Sequence, residues 1–194
     1  MTSPRLQEQF AEDMVLLRLV GMKPVVVHGG GPDITRYMKA LGLEVKFIDG
    51  HRVTDAATME IARMVLVGKV NMDIVGLVNR HGGTAVGLSG EDGRLLRARP
   101  KQHIDAAGNE VDLGYVGEVV DVDTQALRTI TESAIPVVAS VGSGEDGQVY
   151  NINADTVAGE LAAALGAEKL IFLTDVEGLY ENQDLYVVGA PGVD

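Results

Sequence analysis

The sequence contains no cysteine, and it lacks both a long apolar run and a secretion signal. Without cysteine the chain forms no disulfide and uses no thiolate chemistry, a composition typical of cytosolic proteins. No stretch approaches the roughly 18 consecutive apolar residues that a membrane span needs. Residues 1–10 lack a cationic region followed by an apolar one. We therefore expect a cytoplasmic protein with no membrane partner.

The charge of the chain argues against a nucleic-acid partner. Among 194 residues, 28 are acidic and 16 basic, which gives a formal net charge of −12. Only Arg94, Arg97 and Arg99 form a local basic cluster, whereas surfaces that bind nucleic acids are strongly basic. Apolar residues make up 46% of the chain, enough for a soluble globule with a substantial core.

Residues 25–32 carry the strongest local signal for a functional site. They read Val-Val-Val-His-Gly-Gly-Gly-Pro, and the β-branched residues among them are typical of a strand buried on both faces. The three glycines allow a tight turn with exposed N–H groups, and apolar spacing over 34–41 predicts a helix directly after them. An anion is favoured between a strand end and a helix N-terminus. A plain strand-to-helix turn explains the glycines equally well, so other residues must decide.

The apolar pattern of the remaining chain predicts an alternation of helices and strands. Helices are predicted at 7–20, 59–78 with a break at Gly68, 124–133 and 156–165, and strands at 84–88, 135–140 and 169–173. Residues 45–54 predict a short strand or an extended loop, and the alternating segments 95–99 and 116–122 predict a hairpin. This order predicts a three-layer αβα sandwich with a mostly parallel central sheet and an antiparallel hairpin excursion.

Ligands of open α/β sheets bind at the carboxyl ends of the strands, so the polar residues that follow strands are candidates. Arg52 could clamp a carboxylate with its planar guanidinium, or be an ordinary surface arginine. His28 is expected to be hydrogen-bonded inside the glycine loop rather than to act in catalysis. These candidates suit the binding of oxygen-rich anions better than covalent catalysis.

A second group of candidates precedes the last predicted helix or follows the last strand. Asn151 and Asn153 share one face of an extended segment, where they could bind one ligand or serve as turn and helix-capping residues. Asp155 could be a cap, or could orient a lysine or a metal ion. Asp175 could face a nucleotide or a metal, or simply begin a turn.

Six short motifs stand in order along the chain. They are Val-Val-Val-His-Gly-Gly-Gly-Pro at 25–32, Gly-His-Arg-Val-Thr at 50–54, Ala-Val-Gly-Leu-Ser-Gly at 85–90, Pro-Val-Val at 136–138, Asn-Ile-Asn-Ala-Asp at 151–155 and Leu-Thr-Asp-Val-Glu-Gly-Leu-Tyr at 173–180. In this order and spacing they resemble those of acetylglutamate kinases, which belong to the amino acid kinase family. The similarity extends from about Phe10 to Asn182, and the complete series is more specific than any single motif.

The resemblance implies phosphoryl transfer from ATP to the side-chain carboxylate of N-acetyl-L-glutamate, a step of arginine biosynthesis. By position, the N–H groups of Gly30 and Gly31 would hold the reacting carboxylate or the transferring phosphoryl group. Arg52 would clamp the substrate α-carboxylate with help from Asn151. The remaining implied site residues are Asn153 at the substrate, Asp155 as organiser of catalytic lysines, and Thr174, Asp175 and Tyr180 at the nucleotide.

The resemblance also bears on cofactors and partners. Mg²⁺ would accompany the ATP, and we expect no metal site built from protein side chains alone. A homo-oligomer, a dimer or larger, is expected because an incomplete sheet leaves apolar surface exposed.

Two parts of the family pattern have no counterpart in this sequence. The family begins with a lysine-bearing strand before its first helix, and it continues well beyond the position of Tyr180 with a second catalytic lysine. We therefore expect 1–182 to be the N-terminal, substrate-binding portion of an incomplete amino acid kinase fold, and 183–194 to be a tail that does not align. The alternatives are a non-catalytic module that binds small carboxylates, and a related kinase acting on aminoadipate or aspartate.

This hypothesis predicts little or no turnover by the 194-residue chain in a coupled assay with N-acetyl-L-glutamate, ATP and Mg²⁺. A phosphoryl-transfer transition state that lacks its lysines loses several kcal/mol of charge stabilisation. Robust turnover would show that the chain is catalytically complete.

Overall fold

The computed structural model describes residues 3–105, 108–173, 179–181 and 184–186. The helices are α1 (Pro4–Leu19), α2 (Gly31–Ala40), α3 (Ala56–Arg63), α4 (Met72–Arg80), α5 (Gln125–Thr131) and α6 (Ala154–Leu165). A π-helical segment, Met64–Asn71, joins α3 to α4, and Asp92–Arg94 forms one 3₁₀ turn. The strands are β1 (Val26–His28), β2 (Phe47–Ile48), β3 (His51–Arg52), β4 (Ala85–Ser89), β5 (Leu96–Pro100), β6 (Val116–Val122), β7 (Ile135–Ala139), β8 (Val141–Ser143), β9 (Val149–Ile152), β10 (Leu179–Glu181) and β11 (Asp184–Tyr186).

Three parallel strands form the centre of the fold, in the order β1-β7-β4. All five residues of β7 are buried, because helices cover both faces of this sheet. Ile135 and Val137 pack with α1 and α4 on one face, and Val138 packs with α5 and α6 on the other. The predicted three-layer α/β architecture with a parallel sheet is therefore confirmed.

The predicted hairpin of 95–99 and 116–122 is present as the antiparallel pair β5 and β6. It does not stand alone, because β8 and β9 join it to form a closed four-stranded barrel. Within the barrel β8 pairs with β9 antiparallel, while β6 pairs with β9 parallel. The chain passes directly from β7 of the parallel sheet into β8 of the barrel, so the barrel lies at the carboxyl end of β7.

Local capping explains where the helices begin and end. The Asp55 side chain accepts a hydrogen bond from the Thr58 N–H at the start of α3, and Gly166 ends α6 in the left-handed conformation with φ 65°. The predicted break at Gly68 lies within the π-helical segment. None of the described helices is both long and apolar enough to span a bilayer.

The prediction of a buried strand at 169–173 is wrong. These residues form no strand, and Leu170, Ile171, Phe172 and Leu173 are 44 to 70% exposed. An apolar run becomes a buried strand only when a neighbouring strand pairs with it and helices cover it. Within the described part of the chain, 169–173 has neither.

Substitution of Leu127 tests how α5 packs against the face of the sheet that carries Val138. The Leu127 side chain is fully buried and packs in the same cluster as Val138. Leu127→Ala should lower the free energy of unfolding by about 2–5 kcal/mol, because it removes buried methyl groups and leaves a cavity. Chemical denaturation measures this, and Leu6→Ala, at a side chain that is 53% exposed, is the control. Equal effects of the two substitutions would contradict the packing described for α5.

Candidate functional site

Two helix N-termini meet at the glycine loop that follows β1. Helix α2 begins at Gly31, and α6 begins at Ala154. A Cβ atom built on Gly29 would lie only 3.3 Å from the Ala154 Cβ, so the two helix starts are adjacent. Each N-terminus carries partial positive charge and N–H groups without intrahelical acceptors. Together they form an environment that favours an anion.

The N–H groups of the loop are available for a ligand. The hydrogen bonds found among the described residues include none donated by the Gly30 or Gly31 N–H, and no side chain caps the start of α2. Gly31 is exposed and Gly30 is partly exposed, so a small molecule can reach both.

Gly30 allows the loop to pack closely against the π-helical segment. A Cβ at this position would lie 2.9 Å from the Leu66 Cδ2 and 3.2 Å from the Val70 Cγ2. Any larger residue would push the loop away from its support. The glycine is therefore required by close approach, since the Gly30 φ of −171° is extended backbone.

Arg52 is a buried cation whose partners are all neutral. Its Nη2 donates to the Gly31 carbonyl at 2.9 Å and to the Thr35 Oγ1 at 2.7 Å. The guanidinium also lies 4.7 Å from the centre of the Phe47 ring. Burial lowers the pKa of Arg52 from its usual value. No carboxylate forms an ion pair with Arg52 in the described part of the chain.

This arrangement favours an anionic ligand at Arg52. Taking a charge out of water is costly unless a counter-charge or several hydrogen bonds compensate. Arg52 is only 7% exposed and has no ion pair with an acidic residue in the described part of the chain, so its guanidinium gains most from a carboxylate. Because Arg52 contacts the carbonyl of Gly31, such a ligand would also be next to the glycine loop.

Asn151 is connected to the Arg52 strand through Thr54. The Asn151 Nδ2 lies 3.5 Å from the Thr54 Oγ1, at the long limit of a hydrogen bond, and Thr54 Oγ1 donates to the Arg52 carbonyl at 2.8 Å. The structure therefore brings Arg52 and Asn151 into one neighbourhood, although they lie 99 positions apart in the sequence.

Asn153 and Asp155 lie at the start of α6. The Asn153 Oδ1 accepts hydrogen bonds from the N–H groups of Asp155 at 2.9 Å and Thr156 at 3.0 Å, so its oxygen caps the helix. Asp155 is exposed in the first turn and pairs with no lysine among the described residues. The ligand role of Asn153 and the lysine-organising role of Asp155 remain predictions.

The nucleotide side of the predicted site is mostly outside the described residues. Thr174 and Asp175 lie there, and Tyr180 is described only through the backbone of β10, where it pairs with Leu185 of β11. In the ranges that the structure describes, no group of three or more His, Asp or Glu side chains could hold a metal ion.

His28 has the hydrogen-bonded arrangement that the sequence favoured. Its Nδ1 lies 3.0 Å from the Gly29 carbonyl oxygen, and its Nε2 lies 3.0 Å from the Nδ2 of Asn71. The side chain is buried, and desolvation lowers its pKa below the ordinary 6.5, with a smaller opposite effect of the Gly29 hydrogen bond. The imidazole is therefore neutral at physiological pH.

Sequence reasoning missed two residues of this neighbourhood. Thr35 accepts a hydrogen bond from Arg52, and nothing in its sequence context indicates this role. Asn71 is 2% exposed and contacts His28. Its signal was present, because it is a polar residue in the middle of a long apolar helical stretch.

The fold and the site define an α/β protein in which a glycine loop at two helix N-termini lies beside a buried arginine, and comparison with known proteins gives its family. The chain matches the amino acid kinase family over residues 1–187, and it belongs to that family. It is 60% identical to the chloroplastic acetylglutamate kinase of Arabidopsis thaliana over 185 residues, which cover 95% of this chain and 52% of that protein. The chain therefore spans about half the length of this relative.

Solved structures agree with the fold. The structure of smu.665 from Streptococcus mutans UA159 superposes with a TM-score of 0.79 at 30% identity, covering 91% of this chain and 72% of that one. N-acetylglutamate synthase from Neisseria gonorrhoeae, in complex with coenzyme A and N-acetyl-glutamate, superposes with a TM-score of 0.78 at 26% identity. The match covers 94% of this chain and 41% of that one.

The burial of His28 predicts how conformational stability depends on pH. In the unfolded chain His28 binds a proton near pH 6.5, whereas in the folded chain it binds this proton only at lower pH. The stability contributed by neutral His28 is therefore complete above pH 6.5 and falls as the pH drops from 6.5 towards the folded-state pKa. An NMR titration should give His28 a midpoint below 6.5, and His28→Gln should flatten the acid-induced loss of stability. A midpoint at or above 6.5 would contradict the buried, neutral imidazole.

Proposed function

We propose that this chain is the substrate-binding part of an acetylglutamate kinase and that its site binds N-acetyl-L-glutamate. The observation that carries the proposal is the buried Arg52, which has only neutral partners and lies beside a loop with free N–H groups. A substrate with two carboxylates matches these two adjacent elements. The 60% sequence identity to a curated acetylglutamate kinase supports N-acetyl-L-glutamate as this substrate.

Each carboxylate has a proposed position. The α-carboxylate binds Arg52 by replacing the Gly31 carbonyl or the Thr35 hydroxyl as an acceptor of Nη2, so that the planar guanidinium offers parallel N–H donors to two oxygens. Asn151, connected to the same strand through Thr54, assists from β9. The side-chain carboxylate lies against the N–H groups of Gly30 and Gly31, where the dipoles of α2 and α6 favour negative charge. Asn153, at the start of α6, offers its amide nitrogen to the same ligand.

The proposed reaction is phosphoryl transfer. An oxygen of the side-chain carboxylate attacks the γ-phosphorus of ATP, the bond from that phosphorus to the bridging oxygen breaks, and ADP leaves with an acyl phosphate as the product. Such a transfer depends on alignment and charge stabilisation more than on a nucleophile from the protein. The glycine N–H groups supply both for the substrate oxygens, and Asp155 would hold a lysine near the reacting atoms.

The nucleotide part of the proposal concerns residues 174–180. Thr174, Asp175 and Tyr180 would contact ATP, which supplies the phosphoryl group when it is bound. Mg²⁺ would arrive with the phosphates of the nucleotide, consistent with the lack of a carboxylate cluster among the described residues.

Oligomeric state and compartment belong to the same proposal. Leu16, Leu19, Val20 and Met22 are 56 to 78% exposed at the end of α1, which supports association into a homo-oligomer. The absence of cysteine supports a reducing compartment such as the cytoplasm.

Substitution of Arg52 tests the substrate assignment. Arg52→Gln should weaken the binding of N-acetyl-L-glutamate at least about 30-fold, because truncating a buried, hydrogen-bonded charge pair costs at least ~2 kcal/mol. Arg52→Lys should recover only part of the loss, since a lysine lacks the bidentate geometry. Isothermal titration calorimetry measures both dissociation constants.

The matched control is Arg63→Gln, at an exposed arginine that pairs with Glu91 at 2.8 Å. It should leave the affinity within about twofold of the unchanged chain. Wild-type affinity in Arg52→Gln would refute the clamp. Thermal-shift comparison with aminoadipate and aspartate distinguishes related kinases, and binding of N-acetyl-L-glutamate without any ATP-dependent transfer would favour a binding module.

A further inference from the structure

Asn71 joins all three strands of the parallel sheet through one side-chain amide. Its Nδ2 lies 2.8 Å from the Val137 carbonyl of β7, 3.0 Å from the His28 Nε2 of β1 and 3.3 Å from the Leu88 carbonyl of β4. The residue is 2% exposed, at the last position of the π-helical segment. The NH₂ group has two hydrogens, so Val137 and His28, at the two shorter distances, are its main acceptors, and a buried amide held in this way fixes the geometry around it.

The chemistry of these partners determines which ring nitrogen of His28 carries the proton. A backbone carbonyl only accepts hydrogen bonds, so the contact with Val137 identifies the NH₂ group of Asn71 as the donor. The His28 Nε2 that faces the same NH₂ group must then be the acceptor and unprotonated. The proton is on Nδ1, which donates to the Gly29 carbonyl at 3.0 Å.

The Gly29 carbonyl in turn sets the direction of the Gly30 N–H. Both belong to one peptide unit, and the described chain contains no cis peptide bond. In a trans peptide the C=O and N–H bonds point in opposite directions. A carbonyl held on the imidazole therefore turns the Gly30 N–H away from His28.

We propose that Asn71 and His28 are positioning residues that orient the Gly30 N–H towards the bound carboxylate, through the series Asn71, His28 and the Gly29 carbonyl. The identity of the carboxylate rests on the function proposed above. The orientation itself does not, because it follows from hydrogen bonds within the chain.

The surroundings of Asn71 are shaped for this contact. A Cβ atom on Gly87 would lie 2.0 Å from the Asn71 Oδ1, so only glycine leaves room for the amide. Leu66 and Val70, which support Gly30, come from the same π-helical segment as Asn71. They lie five and one positions before it, as expected for a helix with i to i+5 spacing, and such segments often occur at functional sites.

The first test uses NMR on the ligand-free chain. The ¹⁵N shifts of His28 should show a protonated Nδ1 and a bare Nε2. Asn71→Leu should abolish this tautomer preference and shift the Gly30 amide resonance. Asn79→Ala is the control, because the Asn79 Oδ1 accepts from the Ala85 N–H at 2.7 Å and so binds the opposite end of β4. A protonated Nε2, or an unchanged Gly30 resonance in Asn71→Leu, would overturn the proposal.

The second test measures N-acetyl-L-glutamate binding by calorimetry. Asn71→Leu should raise the dissociation constant about tenfold, the effect of one misdirected hydrogen bond to a charged group. Gly87→Ala should do the same, because it displaces Asn71 while removing no hydrogen-bonding group, and it replaces Asn71→Leu if that variant does not fold. Gly76→Ala, whose Cβ would lie at an ordinary 3.5 Å from the Arg80 Nη1, and Asn79→Ala should remain within about twofold.

The two tests separate the possible failures. If the unchanged chain does not bind N-acetyl-L-glutamate, the proposed function fails, and the NMR comparison alone decides the positioning role. If the unchanged chain binds and both Asn71→Leu and Gly87→Ala bind equally well, the positioning role fails while the proposed function stands. A loss of thermal stability without a change in binding would assign Asn71 a structural role only.

Discussion

The burial of β7 is the constraint on which the remaining structure depends. All five of its side chains are removed from water, which requires a parallel strand on each side and a helical layer on each face. Parallel pairing with β1 and β4 then places the carboxyl ends of all three strands at one edge. The glycine loop, the end of β4 and the entry to the barrel therefore meet at this edge.

The electrostatics of the site follow from that geometry. Helix α2 starts where β1 ends, and α6 starts where β9 ends, so two positive helix termini converge beside Gly29. Arg52 adds a full positive charge that the described residues do not neutralise. A neutral His28 adds none, since burial lowers its pKa. The described part of the chain thus concentrates positive charge around the glycine loop, within a protein that carries a net charge of −12.

The comparison with relatives gives the family of the chain and the share of a relative that it covers. Membership in the amino acid kinase family is established, and the match covers almost the whole sequence. The chain spans about half the length of a curated relative. The apolar side chains at 170–173, exposed where a buried strand was predicted, are consistent with a sheet that has room for further partners.

Much of the local structure was determined by the sequence alone. Apolar spacing located most of the helices, and the observed caps Asp55 and Gly166 act within a few positions of the helix ends that they stabilise. The glycines after a β-branched strand indicated a loop between β1 and a helix, which the structure confirms, and the motif order indicated the family. Only the tertiary structure decided that the hairpin belongs to a closed barrel, that Arg52 has no acidic partner among the described residues, and that Asn71 contacts His28 across the sheet. These features depend on contacts between residues far apart in the chain, and neither periodicity nor local propensity carries information about which distant groups meet.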